Sequence, residues 1–237
     1  MIGVIVPAHN EEASIGACLE SLLAAASNFG LQGREVRIVV VLDSCTDETG
    51  RIVDSYPVQA VSVSSSNVGI ARATGADWMI QEGAKWLAFT DADTVVPESW
   101  LVDQLRFETD AVCGTVQVTD WSLHSADVRA KYDSLYTPVE GHRHIHGANL
   151  GVSAAAYRRV GGFKPLKAHE DVRLITDLSH AGASITWTAC NCVTTSARLA
   201  REPMQRRIWR LSSVARQLTS QCTAPRAYSP IAGYAFQ

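Results

Sequence analysis

Two aspartates separated by one residue have the type and spacing of metal ligands. Asp91 and Asp93 directly follow Trp86 to Thr90, an apolar run typical of a buried strand. Side chains at positions i and i+2 of an extended chain point the same way, so the two carboxylates are expected to share one face. Carboxylate oxygens are ligands that Mg²⁺ and Mn²⁺ prefer. The pair therefore predicts a site for a divalent cation, Mn²⁺ or Mg²⁺.

Polar side chains also follow three earlier apolar runs. Pro7 to Glu12 follow the first run, Asp43 to Asp47 the second, and Asn67 to Arg72 the third. Ligands of parallel α/β proteins bind outside the carboxyl ends of the strands, so these groups are expected to meet the two aspartates at one sheet edge. Carboxylate and amide oxygens accept hydrogen bonds from base N–H groups and ribose hydroxyls. The edge therefore predicts nucleotide binding, with Arg72 as a fixed positive charge.

The chain has no glycine-rich loop for holding phosphate. Neither GxGxxG nor a Walker sequence follows the first run, which ends in Pro7-Ala8-His9-Asn10. This absence excludes a nicotinamide oxidoreductase. It also disfavours a nucleotidyltransferase that makes nucleotide sugars, because such an enzyme normally has a glycine-rich, basic loop at this point. Carboxylates cannot hold a diphosphate without a cation, so the nucleotide needs the predicted metal.

Strand and helix patterns alternate through the first 110 residues. The predicted strands lie at 2–6, 36–42, 58–63 and 86–90, and the longer helices at 12–27 and 70–82. Short links between alternating elements favour a mostly parallel, Rossmann-like α/β sheet flanked by helices. The second half is less regular, with strands predicted at 111–118 and 184–188 and helices at 125–136, 155–160 and 170–180.

Six short motifs occur along the chain. They are Val4 to Glu12, Asp43 to Thr49, Asn67 to Gly75, Asp91-Ala92-Asp93, Gly147-Ala148-Asn149 followed by Gly161-Gly162-Phe163, and Glu170-Asp171. In this order they resemble the motifs of the family 2 inverting glycosyltransferases of bacterial type, which have the fold called GT-A. Ser44 and Cys45 depart from the family's Asp-Gly-Ser turn. An isolated DxD sequence is common by chance, whereas six motifs in the family's order make the match specific.

The resemblance implies transfer of a sugar from a UDP- or GDP-sugar to an acceptor hydroxyl, with inversion and with Mn²⁺ or Mg²⁺. The nucleotide-sugar-binding residues that it implies are Pro7, Ala8, Asn10, Glu11, Asp43, Asn67, Arg72, Asp91, Ala92 and Asp93. Asp43 would contact the base and Arg72 would lie near the diphosphate. Asp93 would bind the metal, and Asp91 would contact ribose or metal-bound water.

The same resemblance makes Asp171 the general base. It assigns Gly147, Asn149, His169 and Glu170 to the acceptor side. A positioned carboxylate can remove the proton of an attacking hydroxyl, and a metal offsets the charge gained by the leaving diphosphate. A catalytically inactive nucleotide-sugar-binding protein is the remaining alternative, although such a protein would be expected to lack Asp93 or Asp171.

Several of these residues also have ordinary structural interpretations. Glu12 suits the first turn of a helix, where its charge interacts favourably with the helix dipole. Asp47 suits a helix cap better than a ligand. Arg72 can be interpreted as a solvated helix residue.

Neither the histidines nor the cysteines predict a second metal site. His142, His144 and His146 alternate and would share one face on a strand, but a hydrogen-bonded loop is the favoured interpretation. The six cysteines include no pair of CxxC knuckles and are expected to be reduced thiols of a cytoplasmic protein. We expect no signal peptide and no membrane span, because the first residues have no basic, apolar leader pattern and no run of about 18 apolar residues occurs.

The charge of the chain is unevenly distributed. The formal net charge of −3 does not favour nucleic-acid binding, yet seven arginines and one acid lie from Arg198 onward. Arg198 and Arg201 are predicted to contact phosphate of the donor or of an anionic acceptor. Residues 201–237 are predicted to form a basic helical tail. A surface helix packed on the core with its arginines in water is the favoured interpretation, and contact with a membrane surface or lipid phosphate is the alternative.

Length and pattern together predict one catalytic domain of the GT-A type over residues 1–200. Residues 1–110 would form its nucleotide-sugar-binding half and residues 111–200 its acceptor half, with 201–237 as the tail.

Overall fold

A computed structural model describes residues 1–122 and 124–196, which form one mixed sheet flanked by helices. The strands are β1 (Ile2–Ala8), β2 (Val36–Asp43), β3 (Gln59–Val63), β4 (Trp86–Phe89), β5 (Thr94–Val95), β6 (Ala111–Val118), β7 (Leu150–Ser153) and β8 (Ile185–Thr195). The α-helices are α1 (Ile15–Ala26), α2 (Thr49–Val53), α3 (Val68–Gln81), α4 (Trp100–Leu105), α5 (Ala126–Leu135), α6 (Ala154–Arg159) and α7 (Glu170–His180).

The strands follow the order β3-β2-β1-β4-β7-β6-β8-β5. β1 is parallel to β2 and β4, and β2 is parallel to β3. β7 lies antiparallel between β4 and β6, and β6 is parallel to β8. The carboxyl ends of β1, β2, β3, β4, β6 and β8 therefore lie at the same edge, which we call the carboxyl edge. The mostly parallel α/β sheet predicted from the sequence is confirmed.

The apolar strands separate two cores, one on each face of the sheet. Val4 and Val6 of β1 pack in the core that contains Leu19 of α1, whereas Ile5 packs in the core that contains Met79 of α3. Successive side chains of a strand point to opposite faces, so a strand covered on both faces must be apolar throughout. This requirement explains the continuous apolar runs. β1 lies inside the parallel half of the sheet, between β2 and β4.

The structure adds two strands and one α-helix that the sequence did not predict: β5, β7 and α4. α4 begins at Trp100, which is fully buried together with Leu101. β8 continues to Thr195, beyond its predicted end at residue 188.

The predicted helical tail at 201–237 lies outside the described residues. Across 1–122 and 124–196, no helix has the length and apolar character required to cross a membrane.

Candidate active site

The loops that follow β1 and β2 are hydrogen-bonded to each other at the carboxyl edge. Asn10 has a left-handed backbone, with φ of 55°, and its Oδ1 accepts a hydrogen bond from Thr46 N–H at 2.7 Å. Glu11 N–H donates to Thr49 Oγ1 at 2.7 Å. Asp47 Oδ1 accepts from Thr49 N–H at 3.0 Å at the start of α2, although the N-cap residue of this helix is Glu48. The first two motifs therefore form one interlocked surface.

Pro7 and Ala8 are the last residues of β1, and they pair with Val41 and Leu42 of β2. Ala8 is buried and Pro7 is half-buried. The structure thus places both predicted residues in the strand that leads to the interlocked loops.

Asp43, the last residue of β2, is buried, and the protein itself supplies its hydrogen-bond donors. Its carboxylate accepts from the N–H groups of Ser65, Ser66 and Asn67, each at 2.8 Å, and from the Ser65 hydroxyl at 2.7 Å. Burial opposes ionisation of Asp43, but these hydrogen bonds outweigh it and lower its pKa to about 2. Asp43 therefore holds the loop between β3 and α3, and its contact with a base stays a prediction.

The start of α3 is fastened to the segment that precedes α7. Asn67 caps α3, because its Oδ1 accepts from Ile70 N–H at 3.1 Å while its Nδ2 donates to Pro165 O at 3.2 Å. A Cβ on Gly69 would lie 2.3 Å from Lys164 O, so only glycine permits this approach. The third motif thereby joins the predicted donor and acceptor halves.

The two aspartates of the DxD sequence lie in a turn and have different neighbours. β4 ends at Phe89, and Asp91 C=O accepts from Thr94 N–H at 3.1 Å. The expectation that the two carboxylates share one face of a strand is therefore wrong. Asp93 accepts from the hydroxyls of Thr195 and Ser196, whereas Asp91 pairs with an arginine. The residue between them, Ala92, is buried.

That arginine, Arg72, is the buried charge at the centre of the site. Its side chain is 5% exposed and forms ion pairs with Asp91 and Glu170. Its guanidinium also lies against Gly147, where a Cβ would be 2.4 Å from Arg72 Cζ. Burial opposes its charge, but the surrounding carboxylates raise the pKa of Arg72. The interpretation of Arg72 as a solvated helix residue is wrong, because it connects the DxD turn with the Glu170-Asp171 pair.

Glu170 and Asp171 begin α7 but have different surroundings. Burial raises the pKa of Glu170, an effect that the Arg72 charge opposes and the Asp171 charge reinforces. Asp171 is half-buried, and its Oδ2 accepts from Gly147 N–H at 2.8 Å. Gly147 therefore contacts both the buried arginine and the predicted base.

The two remaining acceptor-side residues lie in contrasting places. His169 is exposed, has a left-handed backbone with φ of 63°, and precedes α7. Asn149 is buried in the core, where it accepts from Trp100 Nε1–H at 2.9 Å and donates to Thr115 O at 2.8 Å. The Asn149 amide therefore connects the start of β7 with α4 and β6.

The alternating histidines form a stacked row, with ring centroids 5.5 Å and 6.1 Å apart along His142, His144 and His146. His142 Nε2–H donates to Thr188 O at 3.2 Å, and its Nδ1 accepts from His144 N–H at 3.1 Å. Burial lowers the pKa of His142 and of His144. Within 1–122 and 124–196, no group of three or more His, Cys, Asp or Glu has a metal-binding arrangement. These observations support the hydrogen-bonded loop.

Sequence reasoning missed the contacts that join the motifs. Arg72 and Glu170 are 98 positions apart in the sequence, and no local sequence pattern predicts that they pair. The hydroxyl partners of Asp93 were also missed, because β8 was predicted to end before them. Arg198 and Arg201 lie outside the described residues, so their phosphate contacts stay predictions.

Fold and site together define an α/β protein whose carboxyl edge gathers carboxylates around a buried arginine. Residues 3–159 match the family model described as Glycosyl transferase family 2. The chain therefore belongs to this family, as its motifs predicted. A comparison with curated protein sequences gives no match.

Solved structures of similar fold include two proteins with bound nucleotide sugars. S. aureus TarS 1-349, in complex with UDP-GlcNAc, is 20% identical with a TM-score of 0.64, and the match covers 90% of this chain and 66% of that chain. The mannosyltransferase PcManGT from Pyrobaculum calidifontis, in complex with GDP-Man and Mn²⁺, is 18% identical with a TM-score of 0.66, covering 94% and 65%. The chain spans only 39% of a longer TarS structure. These likenesses confirm the predicted GT-A fold.

Proposed function

We propose that this chain transfers a sugar from a nucleotide diphosphate sugar to an acceptor hydroxyl, with inversion and with Mn²⁺ or Mg²⁺. One observation carries the proposal: a single buried cation, Arg72, pairs with Asp91 of the DxD turn and with Glu170 beside Asp171. The motif proposed to bind the leaving group and the motif proposed to activate the acceptor are thus held together.

Asp171 is the proposed general base. The reaction forms a bond between the acceptor oxygen and the anomeric carbon while the bond from that carbon to the diphosphate breaks. The acceptor proton passes to the Asp171 carboxylate, whose Oδ2 is oriented by Gly147 N–H at 2.8 Å. Attack opposite the leaving group in one displacement inverts the anomeric configuration.

The DxD turn fits a divalent cation that is bound jointly with the donor. Its side chains, Asp91 and Asp93, offer only oxygen donors, which suit Mg²⁺ and Mn²⁺. Mg²⁺ is commonly held by one or two carboxylates together with substrate phosphates. Two carboxylates are therefore enough on the protein side. Asp93, with Asp91 beside it, would hold the cation, which offsets the charge that the diphosphate gains on leaving.

The proposed donor is a UDP- or GDP-sugar. TarS is solved with UDP-GlcNAc and with UDP, and PcManGT with GDP-Man, and both share this fold. Residues 1–110 would bind the donor and 111–200 the acceptor. The cytoplasmic location and the membrane contact of residues 201–237 are likewise proposals.

Calorimetry with UDP and GDP, with Mn²⁺ or with EDTA, tests the metal and the nucleotide together. We expect binding of at least one of them to be about tenfold or more tighter with Mn²⁺, a difference of ~1.4 kcal/mol. Asp93→Asn should abolish this difference, whereas Asp54→Asn, at an exposed position after α2, should keep it.

Equal affinity in chelator would remove the metal from the proposal. A donor panel followed by NMR tests turnover, with the product expected to have the opposite anomeric configuration. Tight donor binding without donor consumption would favour the inactive binding protein instead.

A further inference from the structure

A cleft opens between the carboxyl end of β6 and helix α5. Its volume is about 230 Å³, and its walls carry three aromatic side chains, Trp121, Tyr132 and Tyr136. Gln117, Arg129 and Asp133 add polar groups to the same walls. Ligand sites typically combine apolar and aromatic walls with a few polar groups.

The cleft lies beside the proposed metal ligand. Val118, at its β6 wall, pairs with Thr195 of β8, and Thr195 Oγ1 lies 3.4 Å from Asp93 Oδ1. Adjacent strands are about 4.8 Å apart, so one strand spacing separates this wall from the Asp93 contact. A molecule that occupies the cleft can therefore reach toward the proposed reaction centre.

The aromatic rings pack against one another. The ring centroids of Trp121 and Tyr132 are 5.1 Å apart, as are those of Tyr132 and Tyr136. Trp121 Nε1–H donates to Val118 O at 3.0 Å, which orients the indole. The three side chains therefore form a continuous aromatic wall on which the apolar face of a ring can pack.

The hydroxyls of the two tyrosines differ. Tyr136 Oη accepts from Val116 N–H at 2.9 Å. Tyr132 Oη is buried, yet it has no hydrogen-bond partner among the residues that the structure describes. An unpaired buried hydroxyl is costly, so its presence calls for an explanation. Burial raises the pKa of Tyr132, which keeps the hydroxyl protonated and able to donate.

Helix α5 is attached to the domain by few side chains. Tyr132 is the single buried residue of this helix. Arg129 and Asp133, 3.8 Å apart on α5, are 62% and 63% exposed. Their charged groups are therefore accessible to the hydroxyls of a ligand, and α5 can adjust to it.

We propose that this cleft binds a non-reacting sugar ring of the acceptor. The apolar C–H face of the ring packs against Trp121, and Arg129 and Asp133 bind its hydroxyls. A shift of α5 brings the buried Tyr132 Oη–H within reach of the same hydroxyls. The cleft is smaller than the range of about 300–1,000 Å³ for drug-sized ligands, which suits one ring. The assignment rests on the proposed glycosyl transfer, because it makes the occupant part of the acceptor.

Saturation-transfer NMR on the full chain tests the site without any donor. The probes are the methyl glycosides of glucose, galactose, mannose and N-acetylglucosamine, with sorbitol as a linear polyol and n-hexanol as an apolar control. We expect saturation of the ring protons of at least one glycoside, and a loss of about fivefold or more in Trp121→Ala. Trp78→Ala is the matched control, because Trp78 lines a groove at the start of β2 and β3 instead.

Tyr132→Phe keeps the ring and removes only the unpaired hydroxyl. It should weaken glycoside binding about threefold while leaving the melting temperature unchanged or higher. Tyr136→Phe removes a hydroxyl that already has a partner, so it should lower the melting temperature.

The assignment would be overturned if Trp121→Ala showed the same ring saturation as the wild type, or if the wild type showed none. Stronger saturation of sorbitol or n-hexanol than of the glycosides would also overturn it. The nucleotide calorimetry described above is independent of this result. Normal metal-dependent nucleotide binding with no glycoside signal would refute the acceptor cleft and leave the proposed function standing. Glycoside binding without nucleotide binding would refute the proposed function.

Discussion

Asp91 and Asp93 lie in a turn after β4, whereas Glu170 and Asp171 form the first turn of α7, and each pair gives one carboxylate to Arg72. The remaining members have different partners. Asp93 accepts from the hydroxyls of Thr195 and Ser196, and Asp171 accepts from the backbone N–H of Gly147.

The difference between these partners matches the two proposed roles. A hydroxyl group rotates and can turn its proton elsewhere, so Asp93 can exchange its partners for a cation. A backbone N–H is fixed by the chain, so Asp171 keeps its orientation while it accepts a proton. Arg72 binds the other member of each pair, Asp91 and Glu170, and so holds the two pairs together.

Asp171→Asn should have the largest effect of these variants, and the effect should be on the rate of transfer. An amide cannot take the acceptor proton, so transfer should fall on the order of 10²–10⁴-fold, while nucleotide affinity stays near that of the wild type. Steady-state transfer and calorimetry measure the two quantities. The matched control is Asp177→Asn on the same helix, which removes the carboxylate that pairs with the exposed Arg173. Near-normal transfer by Asp171→Asn would move the base elsewhere, with His169 as the next candidate.

Arg72→Met tests whether one buried charge holds both pairs. Removing it leaves Asp91 and the buried Glu170 without their cation, and breaking a buried pair costs about 3–5 kcal/mol. Urea unfolding should show a loss of this size. Arg37→Met removes an arginine whose partners, Glu35 and Glu82, are exposed, and should lower the stability far less than Arg72→Met does. Similar losses in the two variants would refute the central role of Arg72.

The sequence predicted the sheet well because buried parallel strands require continuous apolar runs, as in β1 and β4. It failed where length or context removes that signal. β7 has four residues, Leu150–Ser153, too few for a period to be read, and it inserts antiparallel between β4 and β6. α4 was missed although Ser99 precedes Trp100, a combination that suits a helix start.

The site was predicted as a set of residue types but not as a set of contacts. Asp171 and the DxD sequence were found from motifs, whereas the Arg72 pairing with Glu170 depends on how α3 and α7 pack. The side-chain alternation assumed for Asp91 and Asp93 failed because β4 ends two residues before Asp91. The structure also shows why position 147 is glycine, since Arg72 fills the space of a Cβ.

Asp43 extends the comparison to a carboxylate that accepts several hydrogen bonds but forms no ion pair with any residue of 1–122 and 124–196. Its pKa of about 2 lies below the ordinary value of 3.8, so its ionised form stabilises the folded state. This contribution is fully present well above pH 3.8 and is lost as the pH falls toward 2. The difference corresponds to about 2 kcal/mol. Urea unfolding at pH 7, 5, 4 and 3 should therefore show the wild type losing its advantage over Asp43→Asn as the pH falls.

Ser65→Ala provides a graded version of the same test. It removes the hydroxyl that donates to Asp43 at 2.7 Å but keeps the N–H groups of Ser65, Ser66 and Asn67. The pKa of Asp43 should rise only part of the way, because three of the four loop hydrogen bonds remain. NMR titration of the Asp43 carboxyl carbon measures this pKa directly. The free energy of unfolding of Ser65→Ala at pH 7 should lie between those of the wild type and Asp43→Asn. An unchanged Asp43 pKa in Ser65→Ala, or an Asp43→Asn stability difference that does not narrow with acid, would show that the loop is held by other contacts.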